Sequence, residues 1–201
     1  MKPNFILDLD QTLISAEALE EFDYDRFKLK AKKFKKVQME NYYLVFERPH
    51  LQKFLDFLFD NFNVSIWTAA SKDYALFIIE KIVIAGKRNR KIDYIFYSYH
   101  CNASEKHKKG TKDLSMIWDI YKLTQYDKNN TVILDDYDEV YKTQNSNCII
   151  AKPFEFTADT SENDKFLKDL KTKLSSILKG KRYKDKFAYS VKKINKDLQT
   201  A

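Results

Sequence analysis

Asp8 and Asp10 stand two residues apart directly after the apolar run Phe5-Ile6-Leu7, and Thr12 follows them. Asp135 and Asp136 end a second such run, Val132-Ile133-Leu134. Thr68 closes Ile66-Trp67, and Lys112 stands within Thr111-Lys112-Asp113-Leu114-Ser115. Taken singly these residues say little. An Asp-x-Asp is common, most lysines in this chain face water, and a threonine at a strand end often caps the next helix. An acidic pair at the end of a buried strand is more informative, because uncompensated charge there is costly. Taken together, four carboxylates, a hydroxyl and an ammonium are the set that phosphoryl transfer to a carboxylate nucleophile requires. Asp8 would attack phosphorus, and its repulsion from a phosphate dianion calls for Mg²⁺ held by oxygen ligands. Lys112 would add a fixed positive charge. The Thr68 hydroxyl and neighbouring amides such as that of Ala69 would hold the equatorial oxygens. Asp10 would protonate the leaving oxygen and then activate water, kept protonated part of the time by the crowding of like charges.

These residues meet only if the right elements deliver them. Phe5–Asp8, Val64–Thr68, Tyr94–Ser98, Thr131–Asp135 and Cys148–Ala151 read as short buried strands rich in β-branched and aromatic residues. Between them, Leu51, Phe54, Leu55 and Leu58 recur at helical spacing. So do Leu76, Ile79 and Ile82–Val83, and again Leu114, Ile117, Trp118 and Tyr121. Strands alternating with helices predict an α/β fold: a doubly wound, Rossmann-like, mainly parallel sheet of about five strands with helices on both faces. In such sheets ligands sit at the C-terminal ends of the strands, where the four aspartates and Thr68 fall, while Lys112 precedes the helix that leads into the fourth strand. Two more amphipathic stripes follow, Phe166–Leu178 closed by Gly180, and Phe187–Leu198. They are expected to pack on the core rather than on a membrane surface.

At 201 residues, with 44% hydrophobic and 15% aromatic content, the chain is expected to form one domain, 1–201, with a real core. That composition excludes disordered and fibrous classes. No apolar run is long enough to span a bilayer, and Asp8 interrupts the first apolar stretch, so no signal peptide is expected. Cys101 and Cys148 form neither a disulfide framework nor a metal spacing, which predicts a reducing intracellular compartment, nuclear or cytoplasmic. The net charge of +7 is concentrated at 165–201, where twelve cations face three carboxylates, with a second cluster of seven cations at Arg26–Lys36. Such patches can meet nucleic acid, but most of the cations are lysines, and solvated helix faces are the favoured reading.

The run Phe5-Ile6-Leu7-Asp8-Leu9-Asp10-Gln11-Thr12-Leu13 resembles the first motif of the haloacid dehalogenase superfamily of phosphohydrolases. Further stretches are similar to the small C-terminal-domain phosphatase family, also called the NLI-interacting-factor domain. They are Arg48-Pro49, Trp67 to Ala75, Lys112-Asp113-Leu114-Ser115 and Leu134-Asp135-Asp136 with Asn145 and Ile149. The resemblance covers nearly the whole chain and implies a Mg²⁺-dependent phosphatase acting through an aspartyl-phosphate on phosphoserine or phosphothreonine peptides, of which the RNA polymerase II C-terminal repeat is the best-known example. It implies Asp8 as nucleophile, Asp10 as general acid and base, and Thr68 and Lys112 as phosphate binders. The implied metal ligands are Asp8, the main-chain carbonyl of Asp10 and Asp136, with Asp135 in support. One departure stands out. The small phosphatases carry Asp-Asn-Ser-Pro where this chain reads Asp135-Asp136-Tyr137-Asp138, a pairing nearer the larger polymerase phosphatases and the mitochondrial import-receptor relatives. Magnesium chemistry survives that change; the substrate assignment does not.

Substrate choice is expected to lie in a small substrate-facing insertion after the first strand, 15–47, whose aromatics include Phe22, Tyr24, Phe27, Phe34, Tyr42, Tyr43 and Phe46. Tyr42 and Tyr43 are expected to contact a phosphorylated peptide or protein, and the protein is expected to be a monomer. Two alternatives stay open: a phosphatase of nucleic-acid ends or small phosphate esters, and a non-catalytic binding module on the same fold.

Overall fold

The computed structural model describes residues 2–107, 110–180 and 186–199. Its centre is a five-stranded sheet of β1 (Asn4–Leu7), β5 (Asn63–Trp67), β6 (Ile92–Phe96), β7 (Thr131–Asp135) and β8 (Cys148–Ile150), in the order β6-β5-β1-β7-β8 and parallel throughout. Every residue of β1 is buried, as a central strand covered on both faces must be. Phe5 and Leu7 point to one face, where they meet α2 (Leu51–Asn61), α3 (Lys72–Ile78), α7 (Phe166–Leu178) and α8 (Val191–Gln199). Ile6 points to the other, against α4 (Ser98–His107), α5 (Ser115–Asp119) and α6 (Asp138–Thr143). Helices on both faces of a parallel sheet make this the doubly wound α/β class expected from the sequence. The five strand expectations match these strands to within two residues at each end.

The helices form where an apolar stripe faces the sheet. In α2 the buried residues Leu51, Phe54, Leu55, Leu58 and Phe59 recur at intervals of three and four. Two stripes are less regular than their spacing predicts. After α3 the chain widens into a π turn over Ile79–Ile84, and Arg90, whose side chain is wholly buried, fills the space behind it. The Arg90 guanidinium donates to the carbonyls of Val83 (2.6 Å) and Gln52 (3.0 Å), to Gln52 Oε1 (2.9 Å) and to Asp56 (2.7 Å). The Leu114–Tyr121 stripe yields only the short α5. Tyr121 N–H reaches back five residues to Met116 O, and Lys122 then adopts a left-handed conformation at φ 54° that ends the helix.

The segment between β1 and α2 forms a second, antiparallel sheet that the sequence pattern did not announce. It comprises β2 (Ile14–Ala18), β3 (Lys36–Met39) and β4 (Tyr43–Glu47) in the order β2-β4-β3, with α1 (Tyr24–Ala31) between β2 and β3. Phe22, Phe27, Phe34 and Phe46 gather around Phe156, which stacks on Phe46 with ring centroids 3.6 Å apart. Of the aromatics expected to face substrate, Phe46 is thus buried in a small separate core and Phe22, Phe27 and Phe34 are half-buried against it. At the opposite margin of the main sheet the outer edge of β8 is covered by α8. The Asn195 carboxamide accepts from Ile150 N (3.1 Å) and donates to Cys148 O (2.9 Å).

Replacing Arg90 with Met is expected to lower stability by about 3 kcal/mol, because two buried carbonyls lose their donors. Urea unfolding measures this, and a loss below about 1 kcal/mol would show that the cluster is dispensable.

Candidate active site

Strand register sets the geometry. Leu7 pairs with Leu134 on one side and Ile66 on the other, so Asp8 comes level with Asp135, and Thr68 follows one residue beyond its own level. Asp8 N–H donates to Leu134 O (3.0 Å) and Thr68 N–H to Phe96 O (3.0 Å), which fixes both backbones at the sheet rim. Directly after Asp10, Gln11 takes a left-handed conformation (φ 56°), and the chain turns back so that Ile14 N–H meets Leu9 O. Lys112 is also left-handed (φ 58°). Each such residue costs about 1 kcal/mol, and a pair of them at a functional rim is where stored strain is usually found.

Lys112 is buried with its ammonium between two carboxylates: Asp8 Oδ1 at 2.6 Å and Asp135 Oδ2 at 2.7 Å. Burial alone would depress its pKa, but the charges of Asp8 and Asp135 outweigh that and raise it, so the lysine stays charged. Asp135 is pushed up by burial and by Asp8, against the pull of Lys112. Its other oxygen accepts from Tyr137 N–H (2.9 Å), so both Asp135 oxygens are engaged. Asp136 is raised by burial and by Asp8, and its Oδ1 accepts from the Thr12 hydroxyl (3.0 Å). Asp10 is raised to about 6, chiefly by burial, while the Tyr74 hydroxyl bonded to its Oδ1 (2.5 Å) holds it down and Asp8 adds to the rise. Thr68 Oγ1 accepts from Ala70 N–H (3.1 Å), which leaves its own hydrogen free to donate.

These side chains line an open cleft of about 410 Å³ containing Asp8, Asp10, Thr68, Ala69, Lys112, Asp135 and Asp136. Seven of the nine residues singled out from the sequence are therefore together. The other two, Tyr42 and Tyr43, are 61% and 37% exposed and do not line it. Tyr43 approaches the site indirectly, edge-on to the ring of Tyr74 at 5.6 Å. The facing wall comes from Asn102 and Glu105 of α4 with Thr111 and Tyr137. A larger groove of about 620 Å³ between α2 and α7 is lined by lysines and hydroxyls without a carboxylate, so it offers no comparable nucleophile.

Several supporting residues were not assigned roles from the sequence. Gln144 holds the Lys112 loop, donating to Lys112 O (2.8 Å) and accepting from Leu114 N–H (3.1 Å). Arg48 donates to Thr12 O (2.9 Å) and forms a two-point pair with Asp164, stacking on Phe166 at 4.5 Å. Tyr74 and Arg48 lie inside the motif stretches, but what they touch depends on chain segments far away in sequence.

The donor set fits a hard divalent cation. Asp8, Asp135 and Asp136 each offer a carboxylate oxygen, all within 4.8 Å of one another. Asp8 Oδ2, Asp136 Oδ2 and the main-chain oxygen of Asp10 have no hydrogen-bond partner among the described residues, so three oxygens remain free for a metal.

A profile of the NLI interacting factor-like phosphatase family matches residues 3–186. The CTD phosphatase-like protein 355R of invertebrate iridescent virus 6 is 49% identical over 179 residues, 87% of this chain and 98% of that protein. Its namesake in invertebrate iridescent virus 3 is 44% identical, over 81% of this chain and 90% of that protein. Among solved structures, Fcp1, described as an essential RNA polymerase II CTD phosphatase, superimposes with a TM-score of 0.56 at 18% identity. The match covers 99% of this chain and 62% of the Fcp1 chain. A fission yeast Fcp1 variant bound to beryllium fluoride gives the same TM-score at 20% identity, over 89% of this chain and 51% of its own. At those identities the likeness speaks for the fold. With the profile spanning most of its length and a 49% identical relative aligned along almost the whole of both proteins, the chain belongs to the NLI interacting factor-like phosphatase family.

Proposed function

We propose that this chain is a Mg²⁺-dependent phosphatase that works through an aspartyl-phosphate on Asp8 and acts on phosphoserine or phosphothreonine in proteins. The observation that carries the reading is the buried Lys112 bridge between Asp8 and Asp135, with a protonatable Asp10 beside it at an open cleft. Lys112 orients Asp8, one of whose oxygens would face the metal while the other attacks phosphorus. The forming bond joins that oxygen to phosphorus. The bond to the ester oxygen breaks, and its electron pair leaves with that oxygen, which takes a proton from Asp10. Asp10, now a carboxylate, accepts a proton from the water that attacks the acyl phosphate and releases phosphate. The Thr68 hydroxyl and the Ala69 amide are placed to donate to the equatorial oxygens. Asp8, Asp136 and the Asp10 carbonyl would hold Mg²⁺, which when bound neutralises charge on the phosphate.

Two observations favour a peptide substrate. The cleft is open, so a flexible chain can reach Asp8, and among the described residues Lys112 is the sole lysine or arginine lining it, its charge already taken up by Asp8 and Asp135. The viral relatives named CTD phosphatase-like support the same choice.

Wild-type protein is expected to hydrolyse p-nitrophenyl phosphate with Mg²⁺, to stop with a chelator, and to lose at least about 100-fold in Asp8→Asn, which keeps shape but removes the attacking charge. An inert wild type would favour the binding-module alternative. Asp136→Asn is expected to raise the Mg²⁺ concentration for half-maximal activity by about tenfold or more, read from a metal titration. On a panel of phosphoserine peptides, phosphorylated oligonucleotide ends and sugar phosphates, kcat/KM is expected to be highest for the peptides. A preference for oligonucleotide ends would reverse the substrate assignment.

A further inference from the structure

We propose that Tyr74 is the positioning residue for the proton-transferring carboxylate. Its phenol fixes one oxygen of Asp10 so that the other is turned to the leaving group, and Tyr43 of the insertion holds Tyr74 in place. The inference rests on the phosphatase reading above and assigns the insertion a part in the chemistry that is separate from substrate contact.

The geometry is specific. Tyr74 sits in the first turn of α3, its N–H accepted by the N-cap Ser71, and is only 8% exposed, packed with Ala75 and Ile78 in the main core. Its hydroxyl meets Asp10 Oδ1 at 2.5 Å. The hydroxyl is the donor and Asp10 Oδ1 the acceptor of this bond. The proton that Asp10 delivers therefore belongs on Oδ2, which has no partner among the described residues. Asp10 lies outside the strands, in a single bridge to Ile14 just before the left-handed turn at Gln11, and among the described residues the Tyr74 hydroxyl is the one hydrogen-bond partner of its side chain. Tyr43 closes the arrangement from the other side. It lies on β4 paired with Ala18 and meets the Tyr74 ring edge-on at 5.6 Å and 81°. A side chain attached to the main core and one attached to the insertion thus converge on a single carboxyl group.

The chemical consequence depends on the leaving group. When the bond between phosphorus and the ester oxygen breaks, an alkoxide from serine or threonine must receive the Asp10 proton as it departs, whereas nitrophenolate leaves readily without it. A misplaced Asp10 should therefore harm poor leaving groups more than good ones. Here kcat/KM is the useful quantity, because it reports the steps up to phosphoryl transfer to Asp8.

The test is a series of small aryl and alkyl phosphates of rising leaving-group pKa, assayed with wild type, Tyr74→Phe and Tyr43→Ala, with Asp8→Asn as the blank. The slope of log kcat/KM against leaving-group pKa is expected to steepen in both variants. Tyr74→Phe is expected to lose about tenfold more on an alkyl phosphate than on p-nitrophenyl phosphate. Small esters do not reach Tyr42 or Tyr43, so a steeper slope in Tyr43→Ala must come through Tyr74. Should Tyr74→Phe fail to fold, as read from its melting curve, the exposed Tyr43→Ala carries the test alone. Equal losses along the series would overturn the proposal and make Tyr74 a packing residue. A rise in KM for phosphopeptides in Tyr43→Ala with an unaltered slope would overturn it too, leaving Tyr43 as a substrate contact. If wild type hydrolyses none of the esters, the phosphatase reading itself falls, a result distinct from either of these.

Discussion

Four carboxylates drawn to one rim repel one another, and the structure depends on how that repulsion is met. A like-charged pair about 4 Å apart costs about 4 kcal/mol in a partly screened protein setting, and burial makes it worse. Lys112 offsets the largest part by lying between Asp8 and Asp135. To bring it there the chain accepts a left-handed lysine and uses Gln144 on both sides of it, bonding Lys112 O and Leu114 N–H. Burial, joined by the repulsion that Lys112 does not neutralise, raises the pKa values of Asp10 and Asp136, and some carboxylate oxygens are left with no partner among the described residues. A site that is electrostatically unfinished in this way is poised to bind a cation and a proton, the two positive species that phosphate ester cleavage calls for.

The two sheets divide the labour. The parallel sheet is a rigid delivery system: its central strand is locked between two neighbours in register, so the residues at its exit have little freedom. The antiparallel insertion has its own phenylalanine core around Phe156 and touches the site lightly, through Tyr43 on Tyr74 and, directly after its last strand, through Arg48 on the Thr12 carbonyl. Since the Thr12 hydroxyl holds Asp136 and Tyr74 holds Asp10, both contacts end on an acidic group of the rim.

What could be read from the sequence follows from which interactions are local. A strand buried on both faces is a near-continuous apolar run, so the inner strands were legible, as was the half-buried edge strand β6 from its aromatic residues, and so were the acidic residues that end β1 and β7. The insertion was not. β3 alternates between exposed and half-buried residues, Lys36-Val37-Gln38-Met39, and β2 carries Ser15 and Glu17, so neither shows an apolar run to detect. Its phenylalanines looked like a substrate pocket because their partner, Phe156, lies more than a hundred residues away. The same holds at the site. The aspartates, Thr68 and Lys112 in the cleft carry their chemistry in their type, whereas Tyr74, Gln144 and Arg48 act through neighbours that only the fold supplies. The helical stripes at Ile82–Val83 and Trp118–Tyr121 were legible as apolar faces but not as the wide turns they become, because side-chain spacing does not report backbone pitch.

The carboxamide of Asn195 has a further bearing on how large this sheet can be. A parallel sheet grows by adding strands to whatever backbone groups its last member leaves open, and β8 would leave Ile150 N–H and Cys148 O available as a template. A carboxamide carries one donor and one acceptor, the same pair that a peptide unit presents, and Asn195 offers both at once from a helix that cannot itself extend the ladder. A foreign strand seeking that margin would have to evict the helix before making its first bond. At this margin the width of the sheet is therefore set by one side chain that imitates the next strand and cannot be followed by another.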